Sequence, residues 1–155
     1  PPRSTLFPYT TLFRSVDMPP GTGDAQLTLA QAVPLAGAVI VTTPQDVAIS
    51  DARRGLKMFE QLNVPILGLV ENMSYFIPPD APDKQYAIFG TDGGEKAATE
   101  LGVELIGKVP MEMPVREGGD LGLPIVLAAP ESASAKALMT VAQKTAAKIS
   151  VAALT

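Results

Sequence analysis

Short runs at residues 38–42, 66–70 and 104–109 are apolar almost without interruption instead of alternating with polar residues, and a strand of that kind is buried on both faces. Between these runs the apolar residues fall at helical spacing. In the segment 49–62, Ile49, Ala52, Leu56, Phe59 and Leu62 share one face that should pack on a sheet. Parallel strands need long crossover connections, usually helices. The alternation therefore predicts a layered α/β domain with a mostly parallel sheet and flanking helices. Further strands are expected in the segment ending at Val16 and at 125–127, with further helices at 25–33, 94–101 and 132–153. Asn63-Val64-Pro65 ends the second helix, because proline disfavours a helical predecessor. Residues 75–89, with Pro78, Pro79 and Pro82 among Asp80, Asp83 and Lys84, should form a protruding loop or a loose hairpin.

Composition narrows the functional classes. A chain of 155 residues, 46% of them hydrophobic, can bury one sizeable core. A formal net charge of −4 offers no electrostatic footprint for nucleic acid or an anionic membrane. No apolar stretch approaches a spanning helix and no signal core stands at the N-terminus, so a cytoplasmic location is expected. With no cysteine and no histidine, the chain has no thiolate ligand, no disulfide and no imidazole base.

The segment Val16-Asp17-Met18-Pro19-Pro20-Gly21-Thr22-Gly23-Asp24 carries the most specific chemistry. An aspartate at the end of a strand can hold a hydrated Mg²⁺, so Asp17 is the candidate metal residue; the alternative is an aspartate that caps the turn. Pro19 and Pro20 stiffen the turn, and Gly21 lets a backbone N–H approach a terminal phosphate. Asp24 reads either as part of this site or as the N-cap of the following helix. Asn72 follows the run 66–70 at the end of the sheet where ligands bind in open α/β folds. Its amide offers a donor and an acceptor, which match an edge of adenine, or it caps a loop.

The wording of D-M-P-P-G-T-G-D resembles the Walker B and switch II segment of the Mrp/ApbC-type P-loop ATPases, a family related to the MinD and ParA ATPases and associated with carrying iron–sulfur clusters. The resemblance continues through Thr43-Pro44-Gln45-Asp46-Val47-Ala48, Asp51-Ala52-Arg53-Arg54-Gly55, Val70-Glu71-Asn72-Met73-Ser74-Tyr75-Phe76 and Arg116-Glu117-Gly118-Gly119-Asp120, covering residues 16–149. It implies ATP and Mg²⁺ as cofactors, Asp17 and Gly21 as the catalytic pair on the metal and switch side, and Asn72, Pro110 and Arg116 around the nucleotide. Glu112 stands where the family commonly has an aspartate. Asp46 reads either as facing a partner subunit or as capping the next helix, and Arg53 and Arg54 read either as part of the family's block or as a solvated face with local ion pairs.

The resemblance also sets off what this sequence does not contain. A P-loop requires G-x-x-x-x-G-K-[ST], whose backbone and lysine cradle the phosphates. The nearest string, Gly90-Thr91-Asp92-Gly93-Gly94-Glu95-Lys96-Ala97, has an acidic residue before the lysine and no hydroxyl after it. The chain thus reads as a partial P-loop NTPase-type domain at 16–155 with its N-terminal half missing, and as inactive by itself. Residues 1–15, with the string R-S-T-L-F-P-Y-T-T-L-F-R-S, read as translated sequencing-adaptor sequence or as a natural extension completing the strand before Asp17. Many relatives carry a C-x-x-C pair after the N-M-S-Y segment. Here Asp80 and Asp83 keep that spacing, but carboxylates are poor cluster ligands. The parent is expected to be a homodimeric iron–sulfur carrier acting on client apoproteins, with no nucleic-acid or membrane partner. The alternatives are a MinD/ParA-like positioning switch and a non-catalytic remnant.

Overall fold

The computed structural model describes residues 14–19, 21 and 23–152. The elements run α1 (Asp24–Ala32), β1 (Ala38–Thr42), α2 (Asp46–Gln61), β2 (Ile66–Phe76), α3 (Gly93–Leu101), β3 (Leu105–Met111), α4 (Met113–Asp120), α5 (Ile125–Ala128) and α6 (Ala133–Ala152). The strands form one parallel sheet in the order β1-β2-β3, with Ile40 opposite Leu69, Thr42 opposite Glu71 and Asn72 opposite Val109. The expected α/β class and parallel sheet are what the chain adopts.

Continuous apolar character places a core on each face of this sheet. On one face Ile40 and Leu69 pack with Ile49, Ala52 and Leu56 of α2 and Ala97 of α3. On the other, Val70, Ile106 and Val109 pack with Ala137 and Val141 of α6. Leu69 and Ile106 are fully buried, each contributing about 1.5–3 kcal/mol of transfer free energy. Helix α6 lies so close to the sheet that a Cβ on Gly107 would come 2.4 Å from Val141 Cγ2. The predicted face of α2 is the one that is buried. The helix stops at Gln61, three residues before Val64, as Asn63 turns to φ 56° ahead of Pro65.

Some expected elements are corrected. Residues 125–127 are helical, because Pro124 O accepts N–H bonds from Leu127 at 2.9 Å and Ala128 at 3.0 Å, which satisfies the backbone locally and leaves no ladder to form. The segment ending at Val16 is irregular over the described residues 14–16, where Val16 is 57% exposed; a strand needs a ladder partner, and β1, β2 and β3 pair among themselves. The remainder of that expected strand lies outside the described residues, as does nearly all of the segment 1–15. Strand β2 runs on to Phe76, which exchanges both backbone bonds with Tyr86 at 2.8 and 2.9 Å, so the excursion closes as a loose hairpin. Neither Asp24 nor Asp46 is an N-cap. Each is the first residue of its helix, with Gly23 and Gln45 in the cap positions and no side-chain cap bond. Their charges still favour the helix dipole by about 0.3–1 kcal/mol each. Helix α4 was not expected as a separate element; Pro114 in its first turn suits a helix start.

Candidate functional site

A cleft of about 360 Å³ runs along β1 and α2, from Val39 and Gly55 to Thr43 and Asn72 near the carboxyl end of β1. Its volume lies at the small end of ligand pockets, roughly 300–1,000 Å³. Its lining includes the successive β1 residues Val39, Ile40 and Val41, together with the polar residues Thr42, Thr43, Asp51 and Asn72. Room for the cleft is left by small residues on α2, since Ala48, Ala52 and Gly55 face it at helical spacing. Gly21 reaches the same cleft from the Pro19 turn. Its φ is +94°, a conformation that costs a side-chain-bearing residue strain, and no atom lies within 4 Å of where a Cβ would stand. The turn is tied to α1 by the buried Gln26, whose Nε2 donates to Pro19 O at 2.9 Å.

Gly21 and Asn72, far apart in sequence, are thus brought to one cleft. Asn72 is half-buried, and its Oδ1 accepts the Met73 N–H at 2.9 Å, with Met73 at φ 55°. Asp17 is exposed and Arg116 is 62% exposed, and neither lines the cleft. Arg116 instead pairs within α4 with Asp120 at 2.9 Å and Glu117 at 3.5 Å. Pro110 is buried beyond the cleft, its carbonyl accepting from Ser134 Oγ at 3.1 Å. Arg54 pairs with Asp51 on α2, and Arg53 crosses to Glu100 on α3; both are exposed pairs of small energetic value.

The structure adds carboxylates that sequence reasoning passed over or left unassigned. Glu71 is 2% exposed and accepts the Gly94 N–H at 2.6 Å, at the start of α3. Glu112 accepts the Ser134 N–H at 2.6 Å, at the start of α6. Lys108 stands over the first of these, 2.9 Å from Glu95 and 3.7 Å from Asp92. The Glu95 hydrogen bond, with the charges of Glu71, Glu95 and Asp92, holds the Lys108 ammonium above the usual lysine range against the opposing effect of partial burial.

The cleft presents hydroxyl and amide groups from Thr42, Thr43 and Asn72, the Asp51 carboxylate and an unobstructed glycine. Among the described residues no three acidic groups cluster to cage a metal. A lone carboxylate such as Asp17 suits Mg²⁺ that keeps its water and phosphate ligands. A family model for ParA-type, NUBPL iron-transfer P-loop NTPases matches residues 12–146. The chain belongs to that family. This NUBPL-type chain is similar to an iron–sulfur cluster carrier protein of Synechocystis sp., with 69% identity over 139 residues, which is 90% of this chain and 39% of the relative. Its fold is similar to a nucleotide-binding protein from Archaeoglobus fulgidus in complex with ADP (34% identity, TM-score 0.62, 75% of this chain and 46% of the other). It is also similar to the cell-division ATPase MinD of Pyrococcus furiosus (26% identity, TM-score 0.64, 84% and 50%). The NUBPL-type chain therefore spans well under half the length of its Synechocystis relative.

Proposed function

We propose that this chain is the switch and base-binding portion of an ATP-binding, Mg²⁺-dependent ATPase that carries iron–sulfur clusters to client apoproteins. The observation that carries the reading is the joint presence of Gly21 and Asn72 at one cleft that reaches the carboxyl end of β1. Gly21 N–H meets the terminal phosphate, and the Asn72 amide meets the base edge, with Pro110 packing near the base and Arg116 at the pocket margin of the intact protein. Asp17 holds Mg²⁺ through water, and the ion when bound neutralises charge on the phosphates. The phosphate-cradling loop belongs to an upstream part of the polypeptide, so the chain alone does not turn over ATP, and the intact protein is a cytoplasmic homodimer. The cluster is cargo, and its ligands are cysteines outside this sequence, which has none. Residues 1–15 are adaptor-derived, and recovery of those codons in frame from independent material would overturn that assignment.

The test is nucleotide binding and turnover by this chain beside the same chain joined to its upstream genomic sequence. Turnover only in the longer protein is expected. Micromolar ATP binding by the 155-residue chain alone would refute the division of the site. The likeness to MinD supports a second reading, an ATP-dependent positioning switch. Anaerobic reconstitution of the longer protein with iron and sulfide separates the two, since failure to hold a transferable cluster removes the carrier reading.

A further inference from the structure

The proposed site takes its walls from different strands, Thr42 and Thr43 from the end of β1 and Asn72 from β2. The ladder between β1 and β2 reaches Thr42 opposite Glu71 and goes no further. Beyond that level the start of α3 is wedged against both strand ends. A Cβ on Gly93 would lie 2.1 Å from the Pro44 carbonyl oxygen, and one on Gly94 would lie 2.7 Å from Glu71 Oε2. Approaches this close, to the Pro44 backbone and to the Glu71 side chain, are open only to glycine. What holds the wedge is a buried charge, because the Glu71 carboxylate accepts the Gly94 N–H at 2.6 Å. A carboxylate taken out of water is costly unless it is bonded and compensated. Here the compensation comes from the helix start and from the neighbouring Lys108, whose ammonium feels the Glu71 charge. On its own strand, Ser74 Oγ donates to Glu71 O at 2.9 Å, closing the turn that contains Asn72 and Met73.

We propose that Glu71 is a positioning residue for the nucleotide cleft: by clamping the Gly93-Gly94 start of α3 it fixes the Thr43–Pro44 wall relative to Asn72. The proposal rests on the assignment of the cleft to nucleotide, and it carries two separate consequences. The first is mechanical and belongs to this chain alone. Glu71→Ala removes the clamp, while Glu71→Gln keeps an acceptor and nearly the same volume. Amide hydrogen exchange should accelerate about tenfold or more in Glu71→Ala at Thr43, Gln45 and residues 72–75 together, the scale of one lost charge-assisted bond. Exchange at 106–109 and 135–141 should stay as in the parent chain, and Glu71→Gln should stay within about threefold throughout. Should Glu71→Ala fail to fold, Gly94→Ala, which drives a methyl into the carboxylate, should give the same paired pattern.

The second consequence is read in the chain joined to its upstream sequence, with ATP and GTP competing for a fluorescent ADP. Glu71→Ala should lower the preference for ATP about tenfold with turnover at saturation unchanged, a split that simple destabilisation does not produce. Glu71→Gln should restore the preference. Exchange that rises at one wall only, everywhere equally, or nowhere overturns the clamp. If Asn72→Ala leaves the ATP preference untouched, the base-contact reading fails, while the exchange pattern still decides the role of Glu71.

Discussion

The contact between α6 and the sheet over Gly107 yields a sharp double-mutant test. In Gly107→Ala the new Cβ would stand 2.4 Å from Val141 Cγ2, more than an ångström inside the roughly 3.5–4.0 Å at which carbons attract. Val141 has little freedom to turn away, because a β-branched side chain in a helix keeps one χ1 well. Overpacking of this kind costs about 1–3 kcal/mol. Against it stands the better strand propensity of alanine, at most about 1 kcal/mol. The steric effect wins, and a net loss of ~1–2 kcal/mol is expected. Val141→Ala removes two methyl groups from a partly buried side chain. At about 0.8 kcal/mol per buried carbon, less the helix propensity regained, it should cost ~1 kcal/mol. In the double variant the alanine methyl at 107 occupies the space vacated by Val141. The combined loss should therefore fall short of the sum by ~1 kcal/mol. Urea unfolding followed by far-ultraviolet circular dichroism suits a chain without tryptophan. Additivity within about 0.5 kcal/mol would refute the claim that this glycine exists to let α6 approach.

Other expectations are simpler. Leu69→Ala empties a fully buried site between the sheet and α2 and should cost about 2–5 kcal/mol in the same assay. Glu112→Ala leaves the Ser134 N–H without its carboxylate partner and should cost ~1–3 kcal/mol, with Glu112→Gln much milder. For Lys108, a pKa raised in the folded state means that its stabilisation is complete below the unfolded value of 10.5 and disappears as pH climbs through the higher folded value. Glu95→Gln should lower the Lys108 titration midpoint seen by NMR and reduce the alkaline stability lost in that window; an unmoved midpoint would dismiss the Glu95 bond as its main cause.

Much of the fold was legible because burial on both faces leaves a direct trace. Residues 38–42, 66–70 and 104–109 read as strands for the same reason that Leu69 and Ile106 are fully buried. The run 125–127 was misread because an apolar stretch that short carries no period, and the carbonyl of Pro124 decided the matter locally. Helix α4 was hidden by Gly118 and Gly119, poor helix formers. Gly118 is there for space, since a Cβ would lie 2.3 Å from Leu123 O. In the candidate site, Gly21 and Asn72 were singled out from local chemistry, a turn and the end of an apolar run, and both line the cleft. The partners of Glu71 and Glu112 lie 23 and 22 residues away, and only the oddity of a glutamate ending the run 66–70 hinted at the first.

The open side of β1 has a practical consequence for anyone handling this polypeptide. Among the described residues the strand pairs only with β2, its sequence Ala38-Val39-Ile40-Val41-Thr42 carries no charge and no proline, and Val41 is 58% exposed. Such an edge is a template for adding further strands. Concentrated solutions of the isolated chain should accordingly drift toward intermolecular β-structure. A lysine in place of Val41 would act as a gatekeeper and extend the working concentration range.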